Sequence, residues 1–263
     1  MAPIKIAIVG VGKIVRDQHL PAIAKNPDFE LVATASRHGT VDGIPAYKTI
    51  AEMLATHPEI EAVSLCMPPQ FRYEAALRAL EAGKHVFVEK PLALNVPDCE
   101  RVEAVARRRP AQVAMVGFVR RFDASYQQAK AQIDAGGIGR PFLVRSQTAD
   151  MNDPSGFFVA YSAQSGGIYL DCSVHDIDLA RWMLGNPKAT RVFASGTVAI
   201  HDGLRPFGDV DNGLAIVEFE GGARAVFYAS RTLPHGHETT TEVIGTSGTL
   251  NIGVGAERDR VQY

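Results

Sequence analysis

Ile4, Ile6, Ile8 and Val9 form a short apolar run that closes on Gly10-Val11-Gly12, and this junction narrows the possible folds more than any other segment. A strand with no wet side is the profile of one buried on both faces of a parallel sheet. A glycine pair where such a strand turns into a helix lets the backbone approach a pyrophosphate, which the helix N-terminus then stabilises. Gly10, Gly12, Lys13 and Ile14 are the candidate residues of that turn. The third glycine of the usual fingerprint is replaced by Val15, so helix and strand must pack together by other means.

Strand-like and helix-like stretches then alternate. Leu31–Ala35, Ala62–Leu65, Val86–Val88 and Val113–Val116 read as strands, and Thr49–Ala55, Arg72–Glu81 and Pro97–Arg108 as helices. That alternation predicts a doubly wound parallel sheet of Rossmann type over residues 1–118. The grammar changes beyond it. Residues 119–263 read as an α+β domain: helices over Tyr126–Ala135 and Ile168–Leu184, and strands over Pro141–Thr148, Arg191–Ala199, Leu214–Phe219, Ala223–Ser230 and Glu242–Ile244. Asp202-Gly203, Asp211-Asn212-Gly213 and Gly221-Gly222 supply turn signals for a largely antiparallel open sheet.

Composition excludes several classes. The 263 residues carry 27 Lys and Arg against 29 Asp and Glu, a net charge of −2, so no strongly basic surface invites nucleic acid or an anionic membrane. Three cysteines, Cys66, Cys99 and Cys172, form no metal half-site or close dithiol, so no metal is expected. No run reaches the ~18 apolar residues of a membrane span. The first strand begins almost at once, without a signal segment, and a cytoplasmic location is expected.

The end of the second strand bears on the cofactor. A site strict for NAD carries Asp or Glu there. Ser36, Arg37 and His38 stand there instead, and they suit a 2′-phosphate, so NADP is favoured over NAD. Glu89, Lys90 and Pro91 end another strand on the side where such folds bind ligands. Asp171 and His175 stand four apart on the expected helix and share one face, which Asp178 continues.

These residues resemble the Gfo/Idh/MocA family of NAD(P)-dependent oxidoreductases acting on sugars and cyclitols. The resemblance runs through Gly10-Val11-Gly12-Lys13-Ile14, Glu89-Lys90-Pro91 and Arg120-Arg121-Phe122-Asp123. It continues through Gly166-Gly167-Ile168-Tyr169-Leu170-Asp171 into His175-Asp176-Ile177-Asp178. The N-terminal half, with Arg16 to Pro21, Ala35 to His38 and Leu65-Cys66-Met67-Pro68-Pro69, looks like galactose and arabinose 1-dehydrogenases. The half from about Arg120 looks like inositol 2-dehydrogenases; the arabinose-type enzymes carry Asn where His175 stands. Family members usually continue several dozen residues past the point matching Tyr263, so the second domain looks short at its C-terminus.

The resemblance implies a catalytic set of Lys90, Asp171 and His175, meeting across an interdomain cleft. His175 would take the hydroxyl proton, Lys90 would stabilise the developing alkoxide, and Asp171 would orient the cation and hold substrate. Arg120, Asp171, His175 and Asp178 are the implied substrate contacts, and Pro68, Glu89 and Lys90 join the cofactor residues. The expected reaction oxidises a secondary alcohol of a cyclitol or cyclic sugar, inositol-type. An aldose 1-dehydrogenase, a non-catalytic NADP-binding sensor and a scaffold are the alternatives. A homo-oligomer, dimer or tetramer, is expected from the second sheet, around Val217–Phe219 and Ala225–Tyr228.

Overall fold

The computed structural model describes residues 2–253; the expectation attached to the Tyr263 end lies outside them. The chain divides into two compact units, one ending at Gly117 and the other beginning at Phe118.

In the first unit β1 (Ile4–Val9) leads through a π-helical turn (Val15–His19) into α1 (Leu20–Lys25). β2 (Phe29–Ala35), β3 (Ala46–Tyr47), α2 (Ile50–Thr56), β4 (Ala62–Leu65), α3 (Arg72–Glu81), β5 (His85–Glu89), α4 (Val96–Arg107) and β6 (Ala114–Gly117) follow. The strands lie in the order β3-β2-β1-β4-β5-β6, and every pairing is parallel. This is the expected doubly wound sheet. Helix starts are fixed locally: Thr49 and Glu52 form a reciprocal capping box on α2, and Asn95 accepts from Asp98 N at the head of α4. Met53, Val63, Leu65, Ala76 and Leu80 form the centre of the core, all fully buried. Each large member contributes on the order of 1.5–3 kcal/mol.

The second unit contains α5 (Ala124–Asp134), β7 (Pro141–Met151), α6 (Phe157–Ser165), a second π turn (Tyr169–Ser173) and α7 (Val174–Met183). β8 (Ala189–Thr197), β9 (Asn212–Phe219), β10 (Arg224–Leu233), β11 (Glu238–Gly245) and β12 (Thr249–Ile252) complete it. Its sheet runs β12-β11-β7-β10-β9-β8, antiparallel except for the central β7–β10 pair. The period-2 pattern of β9 buries Ala215, Val217 and Phe219 against α5 and α7, with Tyr126, Leu179 and Met183. Leu214 and Ile216 point to the opposite face, where they are exposed.

Three expectations are corrected. The helix expected over Ile168–Leu184 is continuous from Ile168 to Met183, but it carries a π turn at Tyr169–Ser173 that the spacing did not foresee. Asp211-Asn212-Gly213 opens β9 rather than forming a hairpin turn, and the Asp211 carboxylate accepts from the backbone N–H groups of Ala199, Ile200 and His201. Finally, α6 and β12 are regular elements where none was foreseen. No helix among the described residues is long and apolar enough to cross a membrane.

Candidate active site

Gly10 takes φ +91°, and a Cβ there would lie 2.7 Å from the Met67 backbone nitrogen, so the turn requires glycine. At Gly12 a Cβ would meet nothing within 4 Å, which leaves that side of the turn open to an approaching phosphate. Helical backbone follows as far as Lys25, with the π turn inside it. Single π turns within helices are rare and recur at functional sites. Val15, in the third glycine's position, is fully buried with Ile8 and Cys66, and Leu20, Ile23 and Leu31 pack around them. The helix is thus joined to the sheet through a small apolar cluster. Lys13 pairs with Asp17 one turn on, while Ile14 and Pro68 are exposed.

At the end of β2, Ser36 Oγ accepts from Val11 N at 3.4 Å and ties the glycine turn to the neighbouring strand. The exposed Arg37 lies over the Phe71 ring, 4.9 Å from its centroid. His38 is exposed beside it, and Arg16 donates to Thr40 O at 3.1 Å. Arg16 was not among the expected cofactor residues, because only the fold brings it to this loop. A glycine turn with one open side, opening a helix and flanked by cations at the end of β2, fits a dinucleotide.

Lys90 follows β5 directly and is half-buried. Its main chain is held by Arg72, whose Nη1 donates to the carbonyl oxygens of Glu89, Lys90 and Pro91. Nε of the same side chain donates to Met67 O at 2.6 Å. Glu89, expected at the cofactor, has protein partners for both oxygens: His19 Nε2 at 2.9 Å and Lys90 N at 3.2 Å. Burial pushes the Glu89 carboxyl up, but His19, Arg72 and the Lys90 N–H outweigh it and leave it below its usual range. Cys66 Sγ lies 3.8 Å from both ring nitrogens of His19.

In the second unit the π turn carries Asp171, and α7 carries His175, whose ring meets Phe118 edge-on at 6.4 Å. Asp171 Oδ2 accepts from Arg231 Nη2 at 3.3 Å. Arg120 and Asp178, both expected on the substrate, each have protein partners. Arg120 donates to Asp176 at 2.8 Å and to Thr148 Oγ1 at 2.6 Å. Asp176 is fully buried; burial pushes its carboxyl up against the pull of Arg120, Ser146 and Thr148. Asp178 receives both arms of Arg121, at 2.7 and 2.6 Å. These two pairs brace α7 against its surroundings. Arg231, Asp209 and Arg72 carry no signal in the sequence: an isolated charge shows no partner until the chain is folded. Among the described residues, no group of three or more His, Cys, Asp or Glu could hold a metal ion.

Residues 4–118 match the family described as oxidoreductases with an NAD-binding Rossmann fold, and residues 126–251 match the GFO/IDH/MocA C-terminal domain. The scyllo-inositol 2-dehydrogenase (NAD(+)) of Bacillus subtilis is 34% identical over 257 residues, which cover 95% of this chain and 74% of that protein. The scyllo-inositol dehydrogenase of Lactobacillus casei, solved with NAD(H) and scyllo-inositol, superposes with a TM-score of 0.87 at 33% identity, covering 98% of this chain and 78% of that one. A galactose 1-dehydrogenase of Pseudomonas fluorescens is 45% identical over 91 residues, 35% of this chain and 30% of that protein. With both units matched, the chain belongs to the Gfo/Idh/MocA family of oxidoreductases.

Proposed function

We propose that this protein is an NAD(P)-dependent dehydrogenase oxidising a secondary alcohol of a cyclitol, of the inositol 2-dehydrogenase type. The observation that carries the reading is the second unit's placement of Asp171, on a π turn and held by a buried arginine, one turn before His175 at the start of α7. An inositol dehydrogenase likeness over 95% of the chain supports it. Gly10, Gly12, Lys13, Ile14, Ser36, Arg37 and His38 would hold the dinucleotide, which supplies the two-electron acceptor when bound. His175 takes the proton of the reacting hydroxyl. Lys90 donates to the same oxygen and stabilises its developing negative charge. Asp171 binds a substrate hydroxyl and offsets the positive charge gathered on Lys90 and His175.

The absence of an acidic residue at Ser36 to His38 favours NADP, although the relatives named above are described with NAD. Exposed Phe193, Leu214 and Ile216 on the second sheet support a dimer or tetramer. Three cysteines unpaired with one another suit the cytoplasm. Aldose 1-dehydrogenation is the second reading, favoured by the galactose 1-dehydrogenase match.

Steady-state rates on a panel of inositols and aldoses, with NAD and with NADP, test the proposal. Turnover of an inositol at a higher kcat/KM than any aldose supports it. Turnover of aldoses alone selects the second reading, and binding of dinucleotide without turnover of either class refutes both.

A further inference from the structure

Arg231 lies on β10 with no exposed surface, yet its two terminal nitrogens go to different carboxylates. Nη1 donates to Asp209 Oδ2 at 2.8 Å and Nη2 to Asp171 Oδ2 at 3.3 Å, while the Phe158 ring covers the guanidinium at 5.4 Å. Its Nε makes no hydrogen bond. One carboxylate suffices to neutralise a buried guanidinium, which cannot shed its proton. Asp209, whose side chain is 4% exposed, meets that need. Asp171 is the second and outermost member, at 18% exposure.

The anchor grips the same segment twice. Asp209 Oδ1 accepts from Ile168 N at 2.9 Å, immediately before the π turn. Gly167 takes φ +86°, and a Cβ there would lie 3.2 Å from that oxygen. Asp209 therefore holds the backbone leading to Asp171, and through Arg231 it holds the Asp171 side chain.

We propose that Arg231, anchored by Asp209, is a positioning residue that fixes the carboxylate of Asp171 for the reaction proposed above; its kinetic consequences rest on that reading. The guanidinium acts only through Asp171.

Arg231→Met alone strands Asp209 as a buried charge and destabilises the unit, so the deciding variant is Arg231→Met with Asp209→Asn. That pair removes both buried charges, and the Asn oxygen can still accept from Ile168 N. Thermal unfolding of the double variant should return towards wild type. Its kcat and kcat/KM on the best inositol should nevertheless fall together by about 10²-fold, the scale of a misplaced reacting group. Dinucleotide affinity, read by fluorescence titration, should be unchanged. Arg231→Lys, which keeps the charge but not the fork, should fall between the two. In a crystal structure of the double variant, Asp171 should leave its wild-type rotamer. Recovery of kcat/KM along with stability, or Asp171 unmoved in that structure, overturns the proposal. If the wild-type protein turns over no inositol or aldose, the functional reading fails, and the Asp171 rotamer alone decides the positioning claim.

Discussion

Arg72 fixes Lys90 through the main chain, not the side chain. Its buried guanidinium donates to Lys90 O, to Pro91 O at 2.8 Å and to Glu89 O at 3.1 Å, and on its other side to Met67 O at 2.6 Å. The loop after β4 and the loop after β5 are thereby held by one rigid fork. Lysine has the charge without the fork. Arg72→Lys should cost on the order of 3 kcal/mol in urea unfolding, because carbonyls left without donors stay buried. The activity of the folded fraction should also fall as Lys90 loses its fixed base. Wild-type stability and kcat in Arg72→Lys would show that the loops hold themselves.

The two candidate catalytic groups should separate in kinetics. Lys90→Met keeps most of the stem and removes the donor proposed for the reacting oxygen. Turnover should fall by about 10²–10³-fold with dinucleotide affinity little changed. His175→Asn removes the imidazole proposed to take the proton, and it also introduces the residue of the arabinose-type branch. Inositol turnover should drop while the relative rate on galactose or arabinose rises. Near-normal inositol turnover in both variants would make Lys90 and His175 bystanders.

The fold was legible because its signals are local. Ile4 to Gly12 announce a buried strand and a glycine turn within nine residues, and the apolar runs of β4 and β5 need no partner to be recognised. Lys90, Asp171 and His175 are candidates that the family resemblance supplies at the sequence level. Their supports carry no such signal. Arg231 reaches Asp171 across 60 positions, and Arg121 reaches Asp178 across 57. The position of Asp178 four residues after Val174 shows nothing of the arginine that holds both its oxygens in the fold. The π turns were hidden for another reason: they add a residue to a helix without disturbing its polar-apolar rhythm enough to show.

Cofactor choice should turn on Ser36. The hydroxyl accepts from Val11 N, and Arg37 stands exposed next to it. Ser36→Asp places negative charge where a 2′-phosphate would be met and supplies the acceptor that a free ribose hydroxyl needs. NADP binding should weaken and NAD binding strengthen, both read by fluorescence titration. Should the unmodified protein bind NAD at least about tenfold tighter than NADP, a difference of ~1.4 kcal/mol, the NADP preference is wrong.

Assembly should depend on the sheet face that the helices of the second unit leave uncovered. Phe193 and Ile216 are cross-strand partners there, 67% and 47% exposed, with Leu214 at 56% further along β9. Such side chains at adjacent positions are the composition of an interface core. Light scattering should give a dimer or tetramer for the wild-type chain and a smaller species for Ile216→Glu. An unchanged mass in the variant would move the interface elsewhere.

His19 should leave a mark on stability at alkaline pH. The Cys66 sulfur and then the Glu89 carboxylate outweigh burial and raise His19 from 6.5 to about 10. A group whose folded pKa is raised binds its proton more tightly in the native state. Its stabilisation is therefore complete below about 6.5 and is lost as pH rises through about 10. Glu89 is shifted the other way, so its share is present above its ordinary value and lost in acid. The pair joins the first π turn to the end of β5, one residue before Lys90, so its loss should loosen both. Urea midpoints measured between about pH 6.5 and 10 should fall for the wild-type chain. In His19→Gln, which keeps a hydrogen-bonding side chain but no titrating charge, that fall should flatten, and the two curves should converge at the alkaline end. Parallel curves would mean that His19 holds no extra proton in the folded protein.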